Sequence, residues 1–115
     1  MSIKRIEVGP RMSQAVVHGD TVYLAGQVAG NPVPSVEKQT RQVLAQIDKL
    51  LKQAGSSKAK LLKANIWLSD IRTFDEMNKV WDSWISQGNT PARATVEARL
   101  AGPQYLVEIM VTAAL

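Results

Sequence analysis

The residues best suited to chemistry lie in two short segments of the second half of the chain. The segment 89–96 reads NTPARATV and places Arg93 two residues after Pro91, whereas Glu108 lies within the largely apolar run 106–115. A guanidinium at the start of a strand offers a planar fork of donors that suits a carboxylate. A carboxylate inside an apolar strand is costly unless it is paired or takes part in a reaction. Arg93 and Glu108 are therefore candidates for a site that handles small acidic molecules.

The spacing leaves two interpretations of Arg93 and Glu108 open. The two side chains could act on one bound molecule, or they could form an ordinary ion pair between neighbouring strands. Within one hairpin, the two side chains share a sheet face only if odd-numbered residues pair with even-numbered ones. The sequence does not fix that register.

Other common catalytic and metal-binding patterns are missing from the sequence. The chain has no cysteine, and His18, next to Gly19, is its one histidine. It contains no zinc-ligand spacing, no phosphate-binding loop and no dinucleotide fingerprint. We interpret His18 as a surface residue at a turn, and we expect neither a metal ion nor any other cofactor.

Length and composition indicate one domain spanning residues 1–115. The chain is 45% hydrophobic, as is typical of globular proteins, and a core of this size needs no disulfide. Residues 1–10 lack the apolar core of a signal peptide, and no apolar run approaches the ~18 residues that span a bilayer. We expect a cytoplasmic protein without a membrane partner.

The net charge of +4 brings nucleic acid into consideration as a partner. The basic residues are scattered, however, and the densest group is only Lys58, Lys60 and Lys63. No aromatic residues alternate with them to form a stacking surface for bases. We therefore expect no nucleic-acid partner and interpret the charge as a solvated surface around a site for a small anion.

The elements that must position these residues follow the order β-β-β-α-β-α-β-β. The predicted strands cover residues 3–8, 13–18, 21–25, 61–68, 94–100 and 106–115. Apolar spacings of three and four predict one helix between an N-cap at Ser35 and a stop at Gly55. A second helix is predicted to open with a capping box formed by Thr73 and Glu76. Its apolar stripe comprises Phe74, Met77, Trp81 and Trp84. We interpret the three tryptophans, which include Trp67, as core or interface anchors.

These elements predict one mixed sheet of the α+β class with both helices on one face. The β-α-β segments allow parallel strands, and short connections at 19–20 and 101–105 predict antiparallel hairpins. The second face of the sheet would then be bare. The residues judged too apolar for a solvated face are Val16, Val22, Leu24 and Ala29. This indicates that another copy of the chain covers that face.

Five segments together resemble the RidA family, also called YjgF, over nearly the whole chain. They read GDTVYLAGQ at 19–27, QTRQVL at 39–44, DIRTFDEMN at 70–78, PARATV at 91–96 and VEI at 107–109. Each segment is weak evidence alone, but their order and spacing are specific. The resemblance implies a chorismate-mutase-like α+β fold and a homotrimer with three clefts between subunits.

The resemblance also implies an activity and a set of residues for it. The reaction is the hydrolysis of reactive enamine or imine intermediates, such as 2-aminoacrylate-type 2-imino acids, to 2-keto acids and ammonia. Arg93 matches the arginine that binds the substrate carboxylate, and Glu108 matches the glutamate beside the attacking water. Further matches at or near the cleft are Gly26, Asn78, Thr95 and Lys63. An imine carbon is already electrophilic, so positioning and one proton transfer provide much of the catalysis.

The sequence departs from the common family pattern around the implied cleft. Met12 stands where the common deaminases have a tyrosine, and we count it among the substrate-binding positions. Ala25 replaces a serine, Thr95 replaces a cysteine, and Met110 replaces the second glutamate of an E-I-E pattern. The loop 28–34 is also shorter than usual. These changes alter the lining of the implied cleft.

Two other functions fit the same sequence. A non-catalytic, metabolite-binding or regulatory trimer would keep Arg93 as a ligand clamp and use Glu108 only structurally. RNA cleavage or translation inhibition is a further alternative, which a basic stripe on the folded surface would favour.

Overall fold

The computed structural model describes residues 1–115 and contains one mixed sheet with two α-helices packed on one face. Its strands are β1 (Ile3–Val8), β2 (Ser13–His18), β3 (Thr21–Leu24), β4 (Leu61–Leu68), β5 (Ala92–Glu97) and β6 (Val107–Ala114). The helices are α1 (Val36–Ala54) and α2 (Phe74–Trp84), and 3₁₀ turns at Lys58–Lys60 and Ile71–Thr73 precede β4 and α2. The predicted α+β class and element order are confirmed.

The strands are arranged in the order β1-β2-β3-β6-β4-β5. All neighbours are antiparallel except β4 and β5, which are parallel because α2 connects them as a crossover. The strand that comes last in the chain, β6, therefore lies in the middle of the sheet. β5 and β1 form the two edges.

The predicted hairpin between the last two strands is wrong. β4 lies between β5 and β6, so that Ile66 is opposite Thr95 on one side and opposite Ile109 on the other. The segment 98–106 is long enough to pass the end of β4 instead of turning tightly beside it. β5 also begins and ends earlier than the predicted strand 94–100. Just beyond its end, the N–H of Ala98 donates to the carbonyl of Leu68 at 2.9 Å.

The core lies between the helices and one face of the sheet. Alternate residues of β6, which are Val107, Ile109, Val111 and Ala113, are fully buried there. Val22, Leu24 and Ala29 are also buried, so the prediction that they form part of a bare face is wrong.

No element covers the opposite face of the sheet. Its larger side chains, which alternate with the buried ones, are Val16, Tyr23, Trp67, Val96 and Met110. Tyr23 is 49% exposed and Val96 is 51% exposed, although both are apolar over most of their surface. A partly apolar bare face therefore exists as predicted, but of the predicted residues only Val16 belongs to it.

The ends of α1 are as predicted and the start of α2 is not. Ser35 caps α1 with its hydroxyl, and Gly55 ends it with a left-handed φ of +88°. The capping box of α2 does not form: the backbone of Thr73 (φ −89°, ψ 9°) is not extended as in an N-cap, and its hydroxyl donates to the carbonyl of Asp70 at 2.7 Å instead of accepting a helix N–H. A 3₁₀ turn thus replaces the predicted cap, and Glu76 has no reciprocal bond to make.

Three further features of the chain bear on the sequence predictions. Neither helix is both long and apolar enough to cross a membrane. No group of three His, Asp or Glu side chains is arranged to hold a metal ion. His18 is exposed at the end of β2, which confirms its interpretation as a surface residue.

Candidate active site

Arg93 lies on the side of β5 that faces the helices, and α2 holds its guanidinium. Arg93 Nη1 donates to Asn78 Oδ1 at 2.7 Å. The guanidinium carbon is 5.3 Å from the ring centre of Trp81 and 5.7 Å from that of Phe74. Phe74, Asn78 and Trp81 follow one another at spacings of four and three, so they lie along one face of α2. One helix therefore supplies all three contacts to Arg93.

The guanidinium of Arg93 keeps most of its donors free. It forms no ion pair within the chain, and Asn78 is its one hydrogen-bond acceptor. Burial lowers the pKa of Arg93, while the charge of Asp82 opposes that shift. An arginine stays protonated throughout the physiological range despite such a shift. The free N–H groups can therefore bind an anion.

An open cavity of about 310 Å³ lies beside the Arg93 guanidinium. It is lined by Asn78, Trp81, Asp82, Thr90, Pro91 and Arg93. Pro91 has a fixed φ and stiffens the rim where the chain enters β5. The cavity is large enough for a small carboxylate, and Arg93 is the one cation in its lining.

Glu108 lies on the other side of the sheet, on the central strand β6, and packs against Gly26. A Cβ added at Gly26 would lie 3.1 Å from Glu108 Cδ and would clash with Oε2. Position 26 therefore requires glycine as long as Glu108 keeps this conformation. Burial raises the pKa of the Glu108 carboxyl group, and no cation of the chain pairs with it.

The sheet register places Arg93 and Glu108 on opposite faces. Ala64 of β4 pairs with Arg93, whereas Trp67 of β4 pairs with Glu108. Ala64 and Trp67 are three residues apart, and successive side chains of a strand alternate between faces. The ion pair between neighbouring strands that the sequence left open therefore does not form. Within one copy of the chain, the sheet separates the two groups.

Most of the other predicted site residues lie either beside Arg93 or on the side of Glu108. Asn78 contacts Arg93 directly, and Thr95 follows Arg93 on the same face of β5 with a buried Oγ1 that has no hydrogen-bond partner. Gly26 lies under Glu108 and also lines a cavity of about 370 Å³ that includes Met12. Met12 is 54% exposed at the rim of that cavity.

Lys63 is not brought close to the Arg93 cavity. It pairs with Ala92 of β5 and Thr112 of β6, and its exposed side chain lies on the same bare face as Glu108. No ion pair joins Lys63 to Glu108 in this chain.

Two structural features near the candidate residues were not predicted from the sequence. The contact of Phe74 and Trp81 with Arg93 was not predicted, although the spacing of these two residues with Asn78 indicates a shared helix face. Glu7 lines the same cavity as Met12 and is the one non-glycine residue with a positive φ, +50°. Nothing in the sequence marks Glu7, because glutamate has no special preference for that conformation.

The whole chain also matches known proteins. A sequence model of the family described as Endoribonuclease L-PSP matches residues 2–115. The chain belongs to this family, which is also called YjgF or RidA. The RutC family protein YoaB of Escherichia coli K12 is 44% identical over 114 residues, which cover 99% of this chain and 99% of YoaB.

Solved structures of YjgF/RidA proteins have the same architecture. A YjgF family member from Neisseria meningitidis superposes with a TM-score of 0.97 at 47% identity, covering 99% of this chain and 95% of that one. The Rid family protein YyfA of Yersinia pestis gives a TM-score of 0.91 at 35% identity, covering 99% and 100%. The names of these relatives state no common reaction. Membership of the YjgF/RidA family therefore establishes the fold but not the reaction.

Proposed function

We propose that the protein hydrolyses 2-imino acids and their enamine tautomers to 2-keto acids and ammonia, at sites formed between copies of the chain. The observation that carries the proposal is the state of Arg93, whose free donors line an open cavity while one of its nitrogens, Nη1, donates to Asn78. Glu108 adds an unpaired carboxylate of raised pKa on the opposite face of the sheet. Membership of the YjgF/RidA family supports the same assignment.

Each residue has one task in the reaction. Arg93 binds the substrate carboxylate through two of its N–H groups, which orients the C=N carbon. The imine reacts in its protonated form: Glu108 accepts a proton from water as the water oxygen adds to that carbon, and the C=N electron pair moves to the nitrogen. The resulting carbinolamine breaks its C–N bond, so that ammonia leaves and the carbonyl of the 2-keto acid forms. In that step Glu108 returns its proton to the amino nitrogen, and the hydroxyl group releases its proton to solvent.

The opposite positions of Arg93 and Glu108 favour a site between subunits. If the Arg93 side of one copy meets the Glu108 side of the next, the contact uses two different surfaces. Contacts of this kind close into rings, and a ring of three copies would contain three identical clefts. The bare sheet face with Tyr23, Val96 and Met110 supplies the apolar surface that such an assembly would cover. We therefore propose a homotrimer.

The test of the activity is the rate of 2-keto acid formation from imines that an amino-acid oxidase generates in situ. The wild type and Arg93→Ala are compared with several amino acids as imine sources. We expect acceleration by the wild type that is lost in Arg93→Ala. A folded oligomer that accelerates no imine would contradict the proposal.

The site between subunits has its own test. Arg93→Ala and Glu108→Gln are co-expressed at equal levels and purified as mixed oligomers. We expect recovery of about a quarter of the wild-type activity, because each cleft takes Arg93 from one copy and Glu108 from the next. If one copy supplied both groups, the mixture would be no more active than the separate variants.

RNA cleavage is the second candidate, because the family description names an endoribonuclease. The Arg93 cavity offers a phosphate one cation and also contains Asp82, which repels it. Cleavage of RNA that persists in Arg93→Ala would point to a different site for that activity. Binding of 2-keto acids without turnover would instead favour the non-catalytic, metabolite-binding function.

A further inference from the structure

Two aromatic rings lie beside the guanidinium of Arg93, and the proposed reaction assigns them no role. Trp81 is 5% exposed and lies 5.3 Å from the guanidinium carbon, while Phe74 is 37% exposed and lies 5.7 Å from it. Both distances are within the range in which a cation is attracted to a ring. The attraction is stronger where water is excluded, and Trp81 is the more deeply buried of the two rings.

Asn78 alone does not fix the orientation of the guanidinium. It accepts one hydrogen bond from Nη1, about which the guanidinium plane can still turn. A bidentate grip on a carboxylate requires two parallel N–H groups to point the same way. A ring that contacts the guanidinium restricts this rotation, because the planar cation gains most when it keeps its contact with the ring.

We propose that Trp81 is a positioning residue that holds the guanidinium plane of Arg93, so that a carboxylate is received in one orientation. Asn78 fixes one nitrogen and Trp81 fixes the plane around it. The consequence for turnover rests on the proposed deaminase activity, whereas the restraint of Arg93 itself does not.

Trp84 provides a matched control on the same helix. Its ring centre is 5.4 Å from that of Trp81, but its own contacts are the carboxylate of Asp48 at 2.9 Å and the ammonium group of Lys58 at 5.4 Å. It makes no contact with Arg93. Replacing Trp84 therefore disturbs the packing of α2 without removing the ring beside the guanidinium.

The kinetic test compares Trp81→Leu, Trp81→Phe and Trp84→Leu with the wild type. We expect Trp81→Leu to raise KM for the imino acid at least about tenfold with a smaller fall in kcat, because a misoriented guanidinium weakens the grip on the carboxylate. Trp81→Phe keeps a ring and should restore most of the wild-type KM, and Trp84→Leu should leave KM unchanged. If Trp81→Leu does not fold, Trp81→Met takes its place as a variant without a ring. Equal KM values in Trp81→Leu and the wild type would overturn the proposal.

The side-chain NMR signals of Arg93 test the restraint without substrate or turnover. In the wild type we expect an upfield, ring-shifted Nε–H signal and separate signals for the two Nη groups, because rotation of the guanidinium is slow. Both features should be lost in Trp81→Leu and kept in Trp84→Leu, with Arg93→Lys used to assign the signals. Averaged Nη signals in the wild type would overturn the proposal. Because this readout is independent of catalysis, it distinguishes a failure of this inference from a failure of the proposed activity.

Discussion

At the scale of single residues, the Glu108 side chain lies so close to Gly26 that no side chain fits at position 26. The glycine is needed for space and not for its backbone angles, since its φ is not in the left-handed region and the Glu108 side chain occupies the volume of a Cβ. The close approach gives the unpaired carboxylate of Glu108 its space beside Gly26. It depends on the absence of a single methyl group.

Replacing Gly26 with alanine should therefore displace Glu108. We expect turnover to fall more than about tenfold and the free energy of unfolding to drop by about 1–3 kcal/mol, as is usual for overpacking. Keto-acid formation and urea denaturation measure the two effects. Gly30→Ala is the matched control, because a Cβ there would lie 3.6 Å from Gln46 Oε1, which is an ordinary contact. Equal losses in both variants would contradict the role of Gly26.

The raised pKa of Glu108 predicts how stability depends on pH. The folded protein prefers the protonated carboxyl group, so the contribution of Glu108 is most favourable below the ordinary glutamate pKa of 4.5 and is lost as the pH rises through the folded value. Glu108→Gln stays neutral at every pH. At about pH 7 the variant should be more stable than the wild type by a fraction of a kcal/mol, because the carboxylate is partly solvated.

Urea denaturation of Glu108→Gln at about pH 7.5 and about pH 4 measures this difference. The stability gain of the variant should shrink at the lower pH, where the wild-type carboxyl group is protonated as well. A gain that is the same at both pH values would mean that burial of the charge is not its cause.

The sequence indicated the chemical types at the site but not their arrangement. Arg93 and Glu108 stand out because each is a charged residue in a segment that favours apolar ones. Their separation by a sheet depends on β4, which lies about 30 residues earlier in the chain and enters between β5 and β6. No local pattern in residues 92–109 predicts that β4 lies between these two strands.

At the scale of elements, a row of glutamines on α1 ties two loops to the helix. Gln39 is fully buried; its Nε2 donates to Val33 O at 2.8 Å and Gln104 O at 2.9 Å, and its Oε1 accepts from Leu106 N at 3.0 Å. One side chain thus connects the loop that follows Gly26 with the segment that leads into β6. Both loops keep their positions beside the candidate site through this residue.

Replacing Gln39 with leucine should leave Gln104 O and Leu106 N without a partner, whereas Val33 O keeps its hydrogen bond from Ser35 N. We expect the free energy of unfolding to fall by about 2 kcal/mol, measured by urea denaturation. Gln42→Leu on the next turn of α1 is the control, because its two hydrogen bonds to Asn31 are exposed to water and should matter less. A larger loss in Gln42→Leu than in Gln39→Leu would contradict this account.

Element types and most ends followed from the sequence, because they depend on local forces. The caps at Ser35 and Gly55 act within one turn, and the alternation in β6 directly reflects burial on one face. The capping box failed because both the N–H and the hydroxyl of Thr73 bond to the carbonyl of Asp70 in a 3₁₀ turn, so that Thr73 lacks the extended backbone of an N-cap. Competition of this kind between two short-range bonds is not visible in a motif.

At the scale of the whole molecule, the bare face of the sheet is the main unsatisfied surface. Tyr23→Glu places a charge in the middle of this face, where Tyr23 is 49% exposed in one copy. We expect the wild type to sediment as a trimer and Tyr23→Glu to sediment as a monomer with unchanged secondary structure and little turnover. Lys52→Glu, in the last turn of α1 on the helix layer, should remain a trimer. A wild type that sediments as a monomer would refute the proposed assembly.

The position of β6 has a consequence for how the protein is made. During synthesis on the ribosome, β1-β2-β3 and β4-β5 emerge before the strand that lies between them. Until residues 107–114 are available, each part presents an open strand edge to other nascent chains. A chain that ends before Val107 would therefore lack the central strand and contain two incomplete sheets. Both sheets would be prone to aggregation and degradation.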